Sequence, residues 1–164
     1  MAVVVWIVEG TWPACVDAAR AHALRGAEVV LVHVTPADVP GAAHGAFAGL
    51  LGRGDGARDP GTRVEHLAAA SADRLLAAAA ARLGLPCIRR ACTGRAGHEV
   101  VAAAAGAEVL VVARDGDRTH LGPHSLGPAS RFIVDHAPCP VLLVWPEAAP
   151  DIDTIPPPPP QSPG

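Results

Sequence analysis

An open parallel sheet of five strands with helices on both faces is the fold class this chain predicts, and three observations carry the prediction. Five short runs read as strands, four of them rich in Val, Leu and Ile (AVVVWIV at 2–8, EVVLVHV at 28–34, VLVVA at 109–113 and VLLVW at 141–145) and one more polar, PCIRRACT at 86–93. Most of them are apolar at consecutive positions, as strands covered on both faces require, whereas a sheet with one wet face would alternate. Between the runs lie segments with helical spacing or helix-forming composition. The order is therefore β1-α1-β2-α2-β3-α3-β4-α4-β5, and alternation of this kind builds βαβ units with right-handed crossovers.

The first run ends at Glu9-Gly10-Thr11, where Gly10 permits a turn and Thr11 is placed to cap a helix over 12–24 with Pro13 in its first turn. Cys15, Ala18, Ala19, His22 and Ala23 fall along one side of that helix, and Arg25-Gly26 stops it. After the second strand, residues 35–61 are rich in Gly, Ala and Pro without periodicity, which marks a long excursion. Thr62 with Glu65 reads as a capping box opening an alanine-rich helix that Gly84 closes. The third strand carries Arg89 and Arg90 and is expected at a sheet edge. Gly94-Arg95-Ala96-Gly97 leads into a helix over 98–105, ended by Gly106. Past the fourth strand comes a loop of Gly, Asp, Arg and Pro, and then Gly127-Pro128. Proline suits a first helical position because its missing N–H would have had no intrahelical partner. That helix is short, 128–136, and Pro138-Cys139-Pro140 separates it from the fifth strand. The chain then turns acidic and proline-rich, so one domain is expected over 1–146 and a disordered or polyproline II tail over 147–164.

Composition narrows the function. A length of 164 residues, half of them apolar, suits one domain with one core. An aromatic content of 3% and a formal charge of −3 with scattered basic residues leave neither a stacking platform nor a basic face for nucleic acid. The chain has no lysine, which excludes a phosphate loop of the GxxxxGK[ST] type. No run approaches the length of a membrane span and no basic leader precedes the first strand, so a cytoplasmic protein without membrane contact is expected. Cys15, Cys87, Cys92 and Cys139 form no CxxC pair and read as reduced thiols. His120 and His124 lie near Asp115 and Asp117, but Gly122-Pro123 breaks the helix that would align them, so no metal site is expected. Thr11, Ser125 and Ser130 sit in no G-x-S-x-G elbow, and no enzyme is expected.

Ligands in open parallel sheets bind beyond the carboxyl ends of the strands, where the strand order reverses. If β1 and β4 neighbour each other there, Glu9-Gly10-Thr11 and the 114–128 loop are the candidates. At this point four stretches resemble the universal stress protein family: VVVWIVEGT, GAEVVLVHV, GRAGHEVVAAAAGAEVLVVA and, most specifically, SRFIVDHAPCPVLLVW. The resemblance implies an adenine nucleotide alpha hydrolase-like, Rossmann-like fold and a cytoplasmic stress-response protein without established catalysis. It also implies a homodimer joined by antiparallel exchange at the last strand, Val141, Leu142, Leu143, Val144 and Trp145.

One branch of that family binds ATP through Gly-x-x-Gly, a nine-residue spacer, then Gly-Ser or Gly-Thr. Counted back from Gly127, the earlier glycines fall on Asp117 and Arg114, and Pro128 replaces the hydroxyl residue. Asp117 brings a carboxylate toward an anion, and Pro128 removes a hydroxyl and an N–H donor. Gly116 and Gly122 restore backbone freedom, and the guanidinium groups of Arg114 and Arg118 are substitute donors. The resemblance places Val34 and Ala113 along an adenine pocket, Glu9, Gly10 and Thr11 near base or ribose, and Ala129 beside Gly127 and Pro128 at the phosphates. It implies ATP or another adenine nucleotide as ligand, with no metal beyond nucleotide-bound magnesium. Two readings stay open: a stress-response binding protein with a degenerate glycine loop, and an interaction module of the same fold that takes no nucleotide. Nucleotide hydrolysis is a third, weaker one.

Overall fold

The computed structural model describes residues 1–37 and 60–161. Its nine main elements are β1 (Ala2–Trp6), α1 (Trp12–Ala23), β2 (Glu28–Pro36), α2 (Pro60–Leu83), β3 (Ile88–Gly94), α3 (Ala96–Ala103), β4 (Val109–Ala113), α4 (Pro128–His136) and β5 (Val141–Val144). The five strands form one sheet in the order β3-β2-β1-β4-β5, every pairing parallel. The strand order reverses between β1 and β4, which pair through Val3–Val109 and Val5–Val111. The loops leaving these two strands therefore start side by side at one end of the sheet, which meets the condition under which the sequence made them ligand candidates.

Strand pleating divides the core between the two faces. Val3, Val5, Val29, Leu31, Val109 and Val111 face α1 and α2, where they meet Cys15, Val16, Ala19, Leu76, Ala79 and Leu83. Val4, Trp6, Val30, Val32, Leu110 and Val112 face α3 and α4, where they meet Val100 and Ile133. Consecutive apolar residues in each strand are thus needed because both faces are covered. Burial pushes the Cys15 thiol up to about 12, so it stays protonated and inert in the folded chain.

Several local expectations shift. α2 as described runs from Pro60, so Thr62 lies inside the helix rather than at its cap. Most of the 35–61 excursion lies outside the described residues, while Thr35 and Pro36 extend β2. Thr11 is the N-cap residue of α1, but its side chain makes no cap hydrogen bond. α3 starts two residues earlier than its glycine-rich approach suggests, at Ala96. Gly97 lets α4 come close, since a Cβ there would lie 2.7 Å from the Phe132 ring. Among the described residues, no helix is long and apolar enough to cross a membrane.

Candidate functional site

The site is built from the ends of β1 and β4 and the start of α4. β1 runs out through Ile7 and Val8, and the amides of Thr11 and Trp12 both donate to the Val8 carbonyl, closing the turn. Gly10 sits at φ +84 with nothing within 4 Å of a hypothetical Cβ, so it needs glycine for its conformation and borders open space. Glu9 is exposed, whereas Thr11 is buried. The His33 ring in β2 is bonded through Nδ1 to the Ile7 carbonyl at 2.8 Å, a structural link between strands. Val34 and Ala113 are buried at the carboxyl ends of β2 and β4.

The loop after β4 folds back on itself. The Gly116 amide donates to the Ser125 carbonyl at 2.9 Å and the Asp117 amide to the His124 carbonyl at 2.8 Å. The return strand is set by a single 3-10 turn, Pro123–Ser125, reached through Gly122 at φ +140. Gly116 is needed for closeness here: a Cβ would overlap the His124 carbonyl oxygen and lie 2.9 Å from the Ser125 carbonyl carbon. Two amides that an open glycine loop would offer to phosphate are thus spent inside the loop.

The anion-attracting end of α4 is filled as well. Gly127, its N-cap, has no side chain, and Pro128 has no N–H, so a capping acceptor has to come from elsewhere. Asp115 supplies it: Oδ1 accepts from the Gly127 amide at 2.8 Å and from the buried Ser130 hydroxyl at 2.7 Å. A carboxylate therefore occupies the position where helix dipole and free donors would hold an anion. Gly127 leaves room for it, because a Cβ would sit 2.9 Å from that same oxygen.

The remaining charges are also engaged. The Arg114 guanidinium donates to Ser125 Oγ and lies 4.8 Å from the centre of the Trp145 ring, a cation–π contact, while its buried Nε has no partner. Arg118 pairs with Glu147 at 2.7 Å. Asp117, expected to face an anion, is turned to solvent: its Oδ1 accepts from the Thr119 amide and hydroxyl, and His120 lies 3.5 Å away. Those Thr119 bonds hold its carboxyl below the usual carboxylate range. The carboxylate at the helix terminus is Asp115, two residues earlier than counting back from Gly127 indicates. Ala129, in the first turn of α4, packs against the core on the α3 side. Residues of the tail also lie against this loop: the Leu121 amide donates to Thr154 Oγ at 2.9 Å, and Ile152–Thr154 forms one 3-10 turn.

The structure thus brings Arg114, Gly116, Gly127 and Pro128 together with Asp115, Ser125, Ser130 and Trp145, which the sequence did not single out as ligand-site residues. Only the bare Gly127-Pro128 start of α4 hinted that a neighbouring carboxylate was needed. Among the described residues, no group of three or more His, Cys, Asp or Glu side chains could hold a metal ion. A carboxylate thus stands at the start of α4, and the Gly116 and Asp117 amides are bonded within the loop.

The sequence profile of the Universal stress protein family matches residues 9–144. No curated protein matches the chain. Several solved structures share the fold. Hypothetical protein MJ0577 superposes with a TM-score of 0.68 at 14% identity, over 90% of this chain and 97% of that one. A universal stress protein in complex with cAMP gives 0.60 at 18%, over 90% and 98%. The universal stress protein from Archaeoglobus fulgidus in complex with dAMP gives 0.56 at 17%, over 88% and 97%. At such identities the likeness is one of fold.

Proposed function

Because this chain belongs to the universal stress protein family, we propose that it is a stress-response binding protein whose site takes the adenosine end of a nucleotide and excludes a polyphosphate. The observation that carries this reading is Asp115, whose Oδ1 occupies the start of α4 through Gly127 and Ser130. A triphosphate would have to displace that carboxylate or sit beside it, at a cost set by like-charge repulsion in a partly desolvated site. A base and ribose make no such demand. Gly10 borders open space, Glu9 offers an exposed carboxylate to ribose hydroxyls, and Val34 and Ala113 lie near the carboxyl ends of the two strands flanking β1. Two structural relatives were solved with cAMP and with dAMP, each with a single phosphate.

The chain is read as non-catalytic and cytoplasmic. Ser125 Oγ donates to the Gly122 carbonyl and Ser130 Oγ to Asp115, so both hydroxyls serve the loop fold. The dimer expected from the sequence would form by antiparallel pairing of β5, a sheet edge whose residues Val141, Leu142, Leu143 and Val144 are all half-buried in the single chain.

Calorimetric titration with adenosine, AMP and cyclic AMP tests the proposal. Saturable heat with AMP or cyclic AMP, weakened in Glu9→Ala, is expected. No heat from any of the three at millimolar ligand overturns it. The second reading, an interaction module that takes no nucleotide, would then stand, and the internal commitment of the Gly116 and Asp117 amides is the observation that favours it.

A further inference from the structure

We propose that the segment following β5 is a strap that latches the 114–127 loop shut, so that loop opening is controlled by release of the C-terminal tail. Acidic and proline-rich composition predicts a tail that ignores the domain, yet it makes three separate contacts with one loop. Glu147 pairs with Arg118 at 2.7 Å. Thr154 Oγ accepts the Leu121 amide at 2.9 Å while its own hydroxyl proton goes to the Asp151 carbonyl at 2.6 Å. Pro156 lies 4.0 Å from where a Gly122 Cβ would be, and a partly open cleft of about 220 Å³ is lined by this proline and by Leu121, Gly122, Pro123 and His124.

The latch is organised by the tail's own fold. Asp151 caps the Ile152–Thr154 turn by accepting from the Asp153 amide, and that turn aims the Thr154 hydroxyl at Leu121. The contacts are few and half-exposed, so each is worth a fraction of a stable interface. They are therefore suited to reversible release rather than to permanent packing. They fall on the outer limb of the loop, on Arg118, Leu121 and Gly122, while Asp115 and Gly116 hold the inner limb. Opening the site requires both limbs to yield, and the strap restrains the one that the domain core does not.

The test uses the full chain and needs no ligand, so its outcome is independent of whether any nucleotide binds. Glu147→Gln/Thr154→Val removes the ion pair and the hydroxyl acceptor together. Trypsin needs a free arginine side chain, and the Arg118–Thr119 bond reports directly on the latch; exchange of the Leu110 amide, buried in β4 and bonded to the Pro140 carbonyl, reports on global unfolding. The double variant should be cut at Arg118–Thr119 about tenfold faster, with Leu121 amide exchange accelerated by about the same factor and Leu110 amide exchange unchanged. Unchanged cleavage at Arg118–Thr119 together with unchanged Leu121 exchange would overturn the strap.

Discussion

Replacing Asp115 with alanine probes the contact on which the site's chemistry turns. Its Oδ1 receives two hydrogen bonds, from the Gly127 amide at 2.8 Å and the Ser130 hydroxyl at 2.7 Å. Ser130 is 0% exposed, so truncation leaves a hydroxyl without partner or water. Loss of an N-terminal capping carboxylate costs about 0.5–2 kcal/mol, and a stranded buried hydroxyl adds about 1–3 kcal/mol. Because Asp115 is itself half-buried, part of that loss is recovered by hydration, and a net destabilisation of about 2–3 kcal/mol is expected. For a domain of this size that lowers Tm by roughly 4–12 °C. Ser130→Ala alone should cost about 1 kcal/mol, since Asp115 keeps the Gly127 amide, and the double variant should cost less than the sum because both changes break one bond. Urea unfolding of the four proteins at neutral pH measures the cycle. Strict additivity, or an Asp115→Ala stability within about 0.5 kcal/mol of the parent, would refute the capping argument.

Three further outcomes follow from the same structure. Gly116→Ala pushes a methyl group into the His124 carbonyl and breaks the pairing of the loop limbs; about 2–4 kcal/mol of destabilisation is expected by denaturant titration, against about 1–2 kcal/mol for Gly106→Ala, where a Cβ meets open space and only the positive φ is strained. Leu143→Lys puts a charge into the β5 edge and should halve the mass measured by light scattering; an unchanged mass would count against β5 pairing. Asp17 is held below its usual 3.8 by the Arg82 guanidinium, which it meets in two bonds of 2.8 Å. A depressed folded value means that this contribution is present above 3.8 and is lost as pH falls through the depressed value. Asp17→Asn should therefore flatten the fall of Tm below about pH 4, and an unchanged slope would contradict it.

The architecture was legible because it rests on short-range pattern. Valine runs without alternation announce strands covered on both faces, and Gly127-Pro128 marks the start of α4 to the residue. βαβ alternation announced a parallel sheet but left the strand order open; the pairing of β1 with β4, only a condition at the level of sequence, is set by the structure. The interior of the 114–127 loop was not legible in the same way. Its fold depends on amides of Gly116 and Asp117 meeting carbonyls that return through the turn at Pro123–Ser125, and no local propensity encodes that closure. Counting glycines back from Gly127 put the Asp117 carboxylate beside the anion position. The bonds select Asp115, because Thr119 captures the Asp117 carboxylate locally. The tail shows the converse limit: its composition argues against a core of its own but is silent on a hydroxyl such as that of Thr154 finding an amide 33 residues away.

The most direct test is a pair of dissociation constants, for AMP and for ATP, measured by titration on the parent protein and on Asp115→Asn. With a carboxylate at the start of α4, AMP should bind at least about tenfold more tightly than ATP in the parent, a difference of about 1.4 kcal/mol, and the gap should narrow once the charge is removed. ATP binding the parent protein as tightly as AMP, or more tightly, would contradict the account.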